Sequence, residues 1–137
     1  MSGAALAEAA ETLVGTRFRL HGRNPATGLD CIGLFAAAMA AIGRPPRVPN
    51  GYSLRLDDIA RFRPLAPSFG FAEATGALVP GDVVMFAVGP AQFHLAIAAT
   101  GGGIVHAHAG LRRVVCGPPG EDWARVGHWR LAPESED

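Results

Sequence analysis

Apolar residues recur at helical spacing in two stretches of the first third of the chain. Residues 4–13 place four apolar side chains on one helical face: Leu6, Ala9, Ala10 and Leu13. Residues 31–42 do the same with a second set: Leu34, Phe35, Ala38 and Met39. Gly15 and Gly43 follow these stretches as stop signals. The pattern therefore predicts two helices, and the many alanines of the second indicate close packing against a sheet.

The pattern changes after the turn-forming sequence Pro80-Gly81-Asp82. Short β-like runs then alternate with glycine-containing turns, and the predicted strands are residues 83–88, 93–99, 104–108, 113–116 and 124–131. Residues 101–103 are three glycines that form a turn between two of these strands. Helices first and strands later are typical of an α+β fold. We expect an antiparallel sheet of five or six strands packed on the second helix.

Three stretches lack regular periodicity. Residues 16–28 form a polar loop rich in arginine, which leads into the second helix. Residues 44–78 are predicted to be a connecting excursion beside the site, with one short helix at residues 54–62. The acidic tail at residues 133–137 is expected to fray.

Length and composition favour one domain covering residues 1–137, since 49% apolar residues in 137 can fill a single core. The net charge is zero and all 12 basic residues are arginine, so no broad cationic face predicts nucleic acid as a partner. Two cysteines are too few for a disulfide framework, and we expect both to be free thiols.

The first 14 residues carry Glu8 and Glu11 and have no basic leader, which argues against a signal peptide. No stretch approaches the roughly 20 apolar residues that a membrane-spanning helix needs. We therefore expect synthesis in the cytoplasm and no membrane partner.

Cys31 lies where the polar loop becomes the apolar helix. If Asp30 is the N-cap, Cys31 is the first helical residue, and the positive helix end favours its thiolate. With a histidine beside it, this thiol has the arrangement of a catalytic nucleophile. A small, buried apolar residue is the alternative interpretation.

Three histidines lie on two neighbouring predicted strands. His106 and His108 share a face because they are two residues apart. His94 joins that face if the intervening loop has an odd number of residues, and we predict this register. Cys31, His94 and His106 would then converge as nucleophile, base and orienting residue. Half-buried structural histidines, or a metal site formed by the three, are the alternatives.

Other candidate side chains are interpreted more simply. Cys116 is expected to be structural, and His21 and His128 to be structural or surface residues. The aromatic residues expected to serve packing are Tyr52, Trp123 and Trp129.

Five segments resemble, in order and spacing, those of the NlpC/P60 family of cell-wall peptidases: residues 14–20 (VGTRFRL), 27–34 (TGLDCIGL), 80–86 (PGDVVMF), 94–97 (HLAI) and 104–107 (IVHA). The resemblance implies a papain-like α+β fold. It also implies Cys31 as nucleophile, His94 as base and His106 as the third member, with neither cofactor nor metal. His108 is then a neighbour of the triad.

The chain departs from the family pattern at two positions. Phe18 stands where the family often has Tyr, and Ile32 where Ser commonly follows the cysteine. Phe18 cannot donate a hydrogen bond, which leaves oxyanion stabilisation mainly to the Cys31 backbone N–H. The residues expected on the substrate side of the site are Phe18, Arg19, Asp30 and His108. Arginines at positions 17, 19 and 23 are candidates for meeting carboxylates of the substrate, with a solvated loop as the alternative.

The resemblance implies a thiol hydrolase that cleaves an amide bond in the stem peptide of peptidoglycan. Residues 21–31 (HGRNPATGLDC) are most similar to small family members encoded with phage tails and gene transfer particles, so tail-hub or baseplate proteins are expected partners. Two alternatives stay open. One is a structural tail component with little catalysis, and the other is an amidase or acyltransferase acting on another substrate.

Overall fold

The two predicted helices form the first layer of the structure. A computed structural model describes residues 3–46, 63–89 and 92–132. Helix α1 spans Gly3–Thr12 and helix α2 spans Cys31–Ala41, so both predictions are confirmed to within one residue at each end. The predicted helix at residues 54–62, Tyr52 and the tail at residues 133–137 lie outside the described residues.

The second layer is a six-stranded sheet in which every neighbouring pair is antiparallel. Its strands are β3 (Phe71–Glu73), β4 (Val83–Gly89), β5 (Gln92–Ala98), β6 (Ile104–His108), β7 (Arg113–Gly117) and β8 (Ala124–Leu131). Their spatial order is β3-β8-β4-β5-β6-β7. The five predicted strands and the α+β class are thus confirmed.

Three small features were not predicted, one of which is a single 3-10 turn at Ala66–Phe69. Strand β3 pairs with β8 but has only three residues, too few for an alternating pattern to be visible. The arginine-rich loop contains a short hairpin whose two strands have two residues each, β1 (Arg23–Asn24) and β2 (Gly28–Leu29). This hairpin folds the loop back towards the start of α2.

The main core lies between the helices and one face of the sheet. Helix α2 contributes Ile32, Leu34, Phe35 and Met39 to it, and β5 contributes Leu95 and Ile97. The opposite face of the sheet carries a smaller cluster of Val84, Phe86, Ala96 and Ile104, against which Trp123 packs. His94 alternates with Leu95 along β5 and so belongs to this second face.

A buried carboxylate joins β4 to β8. Asp82 accepts hydrogen bonds from His128 Nε2 at 2.6 Å, from Arg130 Nε at 2.9 Å and from the Val79 amide at 3.0 Å. Burial opposes ionisation, but the bonds from Arg130, Val79 and His128 outweigh it and lower the pKa of Asp82. His128 is therefore a buried structural residue, one of the two roles predicted for it.

Cys31 and Cys116 are both free thiols, as predicted. Within the described residues, no helix is long and apolar enough to cross a membrane.

Candidate active site

Asp30 caps helix α2 and makes Cys31 its first residue, as predicted. Its backbone is extended, and its Oδ1 accepts a hydrogen bond from the Gly33 amide at 2.8 Å. The same oxygen accepts from Arg23 Nη1 at 2.8 Å, while Oδ2 accepts from the His21 amide at 2.9 Å. Both carboxylate oxygens therefore hold the loop that surrounds the helix start.

This loop lies unusually close to the helix. A side chain at Gly33 would collide with the carbonyl oxygen of Gly22, and one at Gly22 would collide with that of Gly28. His21 adopts a left-handed conformation, with φ at 61°, which aims its amide at Asp30. The glycines thus permit the close packing that fixes the position of Cys31.

His94 and His106 share one face of the sheet, and their rings are joined by a hydrogen bond. Strands β5 and β6 pair at Ala98–Ile104, so the loop between them has an odd number of residues and the predicted register is confirmed. His94 Nε2 lies 2.8 Å from His106 Nδ1, and the two rings meet edge to face. Since one of these nitrogens must carry the proton, His94 donating from Nε2 leaves its Nδ1 free as a base.

Trp123 encloses the imidazole pair, a contact that was not predicted. Its ring centroid lies 5.2 Å from that of His94 and 5.5 Å from that of His106. Trp123 therefore has the packing role expected of it, and it packs within the site. His108 lies on the other side of His106, at a centroid distance of 5.7 Å, and its Nδ1 accepts the Leu111 amide at 3.0 Å.

One cleft of about 640 Å³ brings most of the predicted site residues together. Six of the seven line it: Phe18, Asp30, Cys31, His94, His106 and His108. Arg19, the seventh, is exposed and does not line this cleft. His21, predicted to be structural or on the surface, is exposed and lines the cleft as well.

The environment of Cys31 favours a neutral thiol at rest, in contrast to the thiolate predicted from the helix end. Burial raises the pKa of Cys31 to about 12, and the Asp30 charge adds to this. Backbone amides of Leu95, Ile32 and Cys31 itself act in the opposite direction but are outweighed. In the part of the chain that the structure describes, no hydrogen bond joins the side chains of Cys31 and His94.

The imidazoles are neutral too. Burial lowers the pKa of His94 to about 3, with repulsion from His106 and His108 contributing. Burial and His108 lower the pKa of His106 to about 4. Within residues 3–46, 63–89 and 92–132, no three His, Cys, Asp or Glu side chains are grouped to hold a metal ion. A neutral thiol that lines the same cleft as an unprotonated imidazole supplies the two groups that general-base activation of a nucleophile requires.

No protein-family model matches the sequence, and no curated protein matches it. Solved structures do. NlpC1 from Trichomonas vaginalis is 18% identical, with a TM-score of 0.69 over 93% of this chain and 44% of its own. An NlpC/P60 family protein from Bacillus cereus ATCC 10987 is 23% identical, with a TM-score of 0.66 over 97% of this chain and 41% of its own.

A third similar structure is the NlpC/p60 domain of the peptidoglycan hydrolase SagA, 22% identical, with a TM-score of 0.59 over 97% of this chain and all of that domain. The chain thus spans less than half of the two longer proteins and the full length of the isolated domain. At these identities the likeness establishes the fold: the protein has the NlpC/P60 fold.

Proposed function

We propose that the protein is a cysteine peptidase that cleaves an amide bond in the stem peptide of peptidoglycan. One observation carries this: Cys31 begins a helix in the same cleft as the hydrogen-bonded pair His94–His106. The fold shared with a domain named as part of a peptidoglycan hydrolase supports the choice of substrate. Cys31, His94 and His106 act as nucleophile, base and orienting residue.

In the proposed mechanism, Cys31 Sγ attacks the carbonyl carbon while its proton passes to His94 Nδ1. The proton on His94 Nε2 stays hydrogen bonded to His106 Nδ1, which holds the ring in place. When the tetrahedral intermediate collapses, the C–N bond breaks, the leaving amine takes the proton from Nδ1, and a thioester remains. Water then attacks the thioester, again with proton transfer through His94, and regenerates the thiol and a product carboxylate.

Oxyanion stabilisation falls to the start of α2. The Cys31 backbone N–H is the proposed donor, because amides of the first helical turn have no partner within the helix. Phe18 lines the cleft and offers no hydroxyl. Loss of one such donor typically costs about a hundredfold or more in rate. We therefore expect modest turnover that a Phe18→Tyr variant would raise.

The test is incubation of the full chain with purified peptidoglycan, followed by mass spectrometry of the released peptides. Cys31→Ala should abolish release and His94→Ala should reduce it strongly. Cys116→Ala is the matched control, because it removes an exposed thiol on β7 and should leave release unchanged. Release by Cys31→Ala at the wild-type rate would contradict the mechanism.

The finer assignment is that the cut bond follows D-Glu and that the protein acts from a phage-like tail. The sequence of residues 21–31 is similar to that of small family members encoded with phage tails, which supports the proposed location in a phage-like tail. The position of the cut appears directly in the masses of the products. Copurification of the chain with tail-hub or baseplate proteins of a phage-like particle tests the location.

A second candidate is a tail component that keeps the fold for assembly and has lost catalysis. The observations favouring it are the raised pKa of the Cys31 thiol and the absence of a phenolic hydroxyl at Phe18. A Phe18→Tyr variant that releases no peptide, together with a stable stoichiometric complex with tail proteins, would establish this role instead.

A further inference from the structure

Two arginines face each other at the edge of the sheet next to the cleft. The segment after α1 runs beside β7, with the Gly15 amide bonded to the Val114 carbonyl and the Phe18 amide to the Arg112 carbonyl, at 2.8 and 2.9 Å. This pairing sets Arg17 directly opposite Arg113. Both side chains are exposed.

The arginine pair lies on the sheet face that carries the histidines. Arg113 is the direct partner of His108 in the β6–β7 ladder, and directly opposite residues share a face. With strands about 4.8 Å apart, the Arg113 and Arg17 backbones lie one and two strand spacings from His108. His108 itself lines the cleft with Cys31 and His94. Arg17 and Arg113 do not line the cleft themselves, so the pair lies where a substrate that extends beyond His108 along this face would pass.

Within residues 3–46, 63–89 and 92–132, neither arginine of this pair forms an ion pair. Like charges directly opposite on neighbouring strands destabilise a sheet. In the described residues, the carboxylates that form ion pairs are Asp30 and Asp82, and their partners are Arg23, His128 and Arg130. Two further exposed arginines, Arg19 and Arg112, flank the pair, and the strained left-handed φ of 61° at Arg112 adds to the local cost.

We propose that Arg17 and Arg113 bind a carboxylate of the peptidoglycan stem peptide, at a subsite two strands away from the bond that is cut. This rests on the proposed function. Paired guanidinium groups suit carboxylates, because charge-assisted hydrogen bonds are short and strong. A peptide advances about 3.3 Å per residue, so a carboxylate a few residues from the cut bond can reach the pair. The subsite sets the position of the substrate peptide along the cleft and takes no part in cleaving the bond.

The experiment uses the full chain with Cys31→Ala, so that bound material is not cut. Peptidoglycan is treated with hydrofluoric acid to remove phosphate-containing polymers, and half of it is then amidated at its carboxyl groups. Cosedimentation gives the affinity for each form. We expect amidation to weaken binding about tenfold or more, and the double variant Arg17→Gln/Arg113→Gln to bind both forms equally weakly.

Arg63→Gln is the matched control, since it removes an exposed arginine on another part of the chain and should bind as the parent does. The double variant should also melt no lower than the parent, because it relieves like-charge repulsion. The proposal is overturned if the double variant still distinguishes the two forms, or if the parent chain binds untreated cell wall and not the peptidoglycan freed of phosphate-containing polymers.

Cleavage by the wild-type chain is measured in parallel and separates the two proposals. Arginine-dependent binding to an uncut wall would keep the subsite and reject the peptidase. Normal cleavage by Arg17→Gln/Arg113→Gln with Cys31 intact, together with normal binding by the same double variant in the Cys31→Ala background, would reject the subsite and keep the peptidase.

Discussion

The reactivity of the Cys31 thiol follows from its burial and can be measured by alkylation. With its pKa raised to about 12, a fraction of only about 10⁻⁵ is thiolate at pH 7, against about 3% for a free thiol of pKa near 8.5. This is a deficit of about 3,000-fold. A more basic thiolate is intrinsically more nucleophilic, which recovers roughly 30- to 50-fold. We therefore expect Cys31 to react with iodoacetamide about 100-fold more slowly than a free cysteine at neutral pH.

The assay is peptide mass mapping after short pulses of iodoacetamide between pH 6 and 10. Cys116 is exposed and reports on the same molecules as an internal reference. The rate at Cys31 should keep rising up to the highest pH. His94→Ala should change it little at pH 7, because no hydrogen bond joins His94 to the thiol in the described structure.

The opposite result would refute this account of the resting site. If Cys31 reacts faster than Cys116 below pH 7, and His94→Ala slows it, a thiolate–imidazolium pair is already assembled. Burial would then be outweighed by attraction between the two charged groups.

Three further outcomes follow from the structure, each measured by urea denaturation. His94 and His106 have lowered pKa values in the folded state, so below pH 6.5 the unfolded chain binds more protons than the folded chain. The free energy of unfolding should therefore fall as the pH is lowered towards about 4, by up to about 1.4 kcal/mol per pH unit for each site. A constant free energy of unfolding from pH 7 to 4.5 would exclude neutral buried rings. Gly33→Ala should cost about 1–3 kcal/mol through overpacking, whereas Gly101→Ala, with open space around it, should stay within about 0.5 kcal/mol; equal effects would contradict the close loop contact. Asp30→Ala should cost about 1–2 kcal/mol by removing the helix cap, and a smaller loss than Thr12→Ala would reject that role.

The sequence was most informative where local rules decide the structure. The helix start at Cys31 follows from the capping preference of Asp30, and the side shared by His94 and His106 follows from the parity of a glycine turn. Both depend on residues close together in the chain, so both could be predicted. The three-residue strand β3 could not, because only its pairing with β8 defines it.

The charge state of the thiol could not be predicted for the same reason. The expectation of a thiolate counted the helix end, which is local, and omitted the burial of Cys31 against β5, which depends on the whole fold. Trp123 was missed as a member of the site because its contacts with His94 and His106 arise from strand order. The position of Cys31 at the helix start could therefore be predicted from local rules, whereas its environment could not.

The energetics of proton transfer connect this neutral state to the proposed chemistry. The raised pKa of Cys31 and the lowered pKa of His94 both oppose transfer of the proton from sulfur to imidazole. Attraction between the charges that the transfer creates offsets only part of this cost. A free ion pair is therefore scarcely populated. Transfer becomes feasible only as sulfur bonds to the carbonyl carbon, because the negative charge then moves to an oxygen facing the helix N-terminus. In the proposed mechanism, catalysis in this cleft thus depends on the bound substrate, and the thiol stays unreactive towards other electrophiles until the substrate is in place.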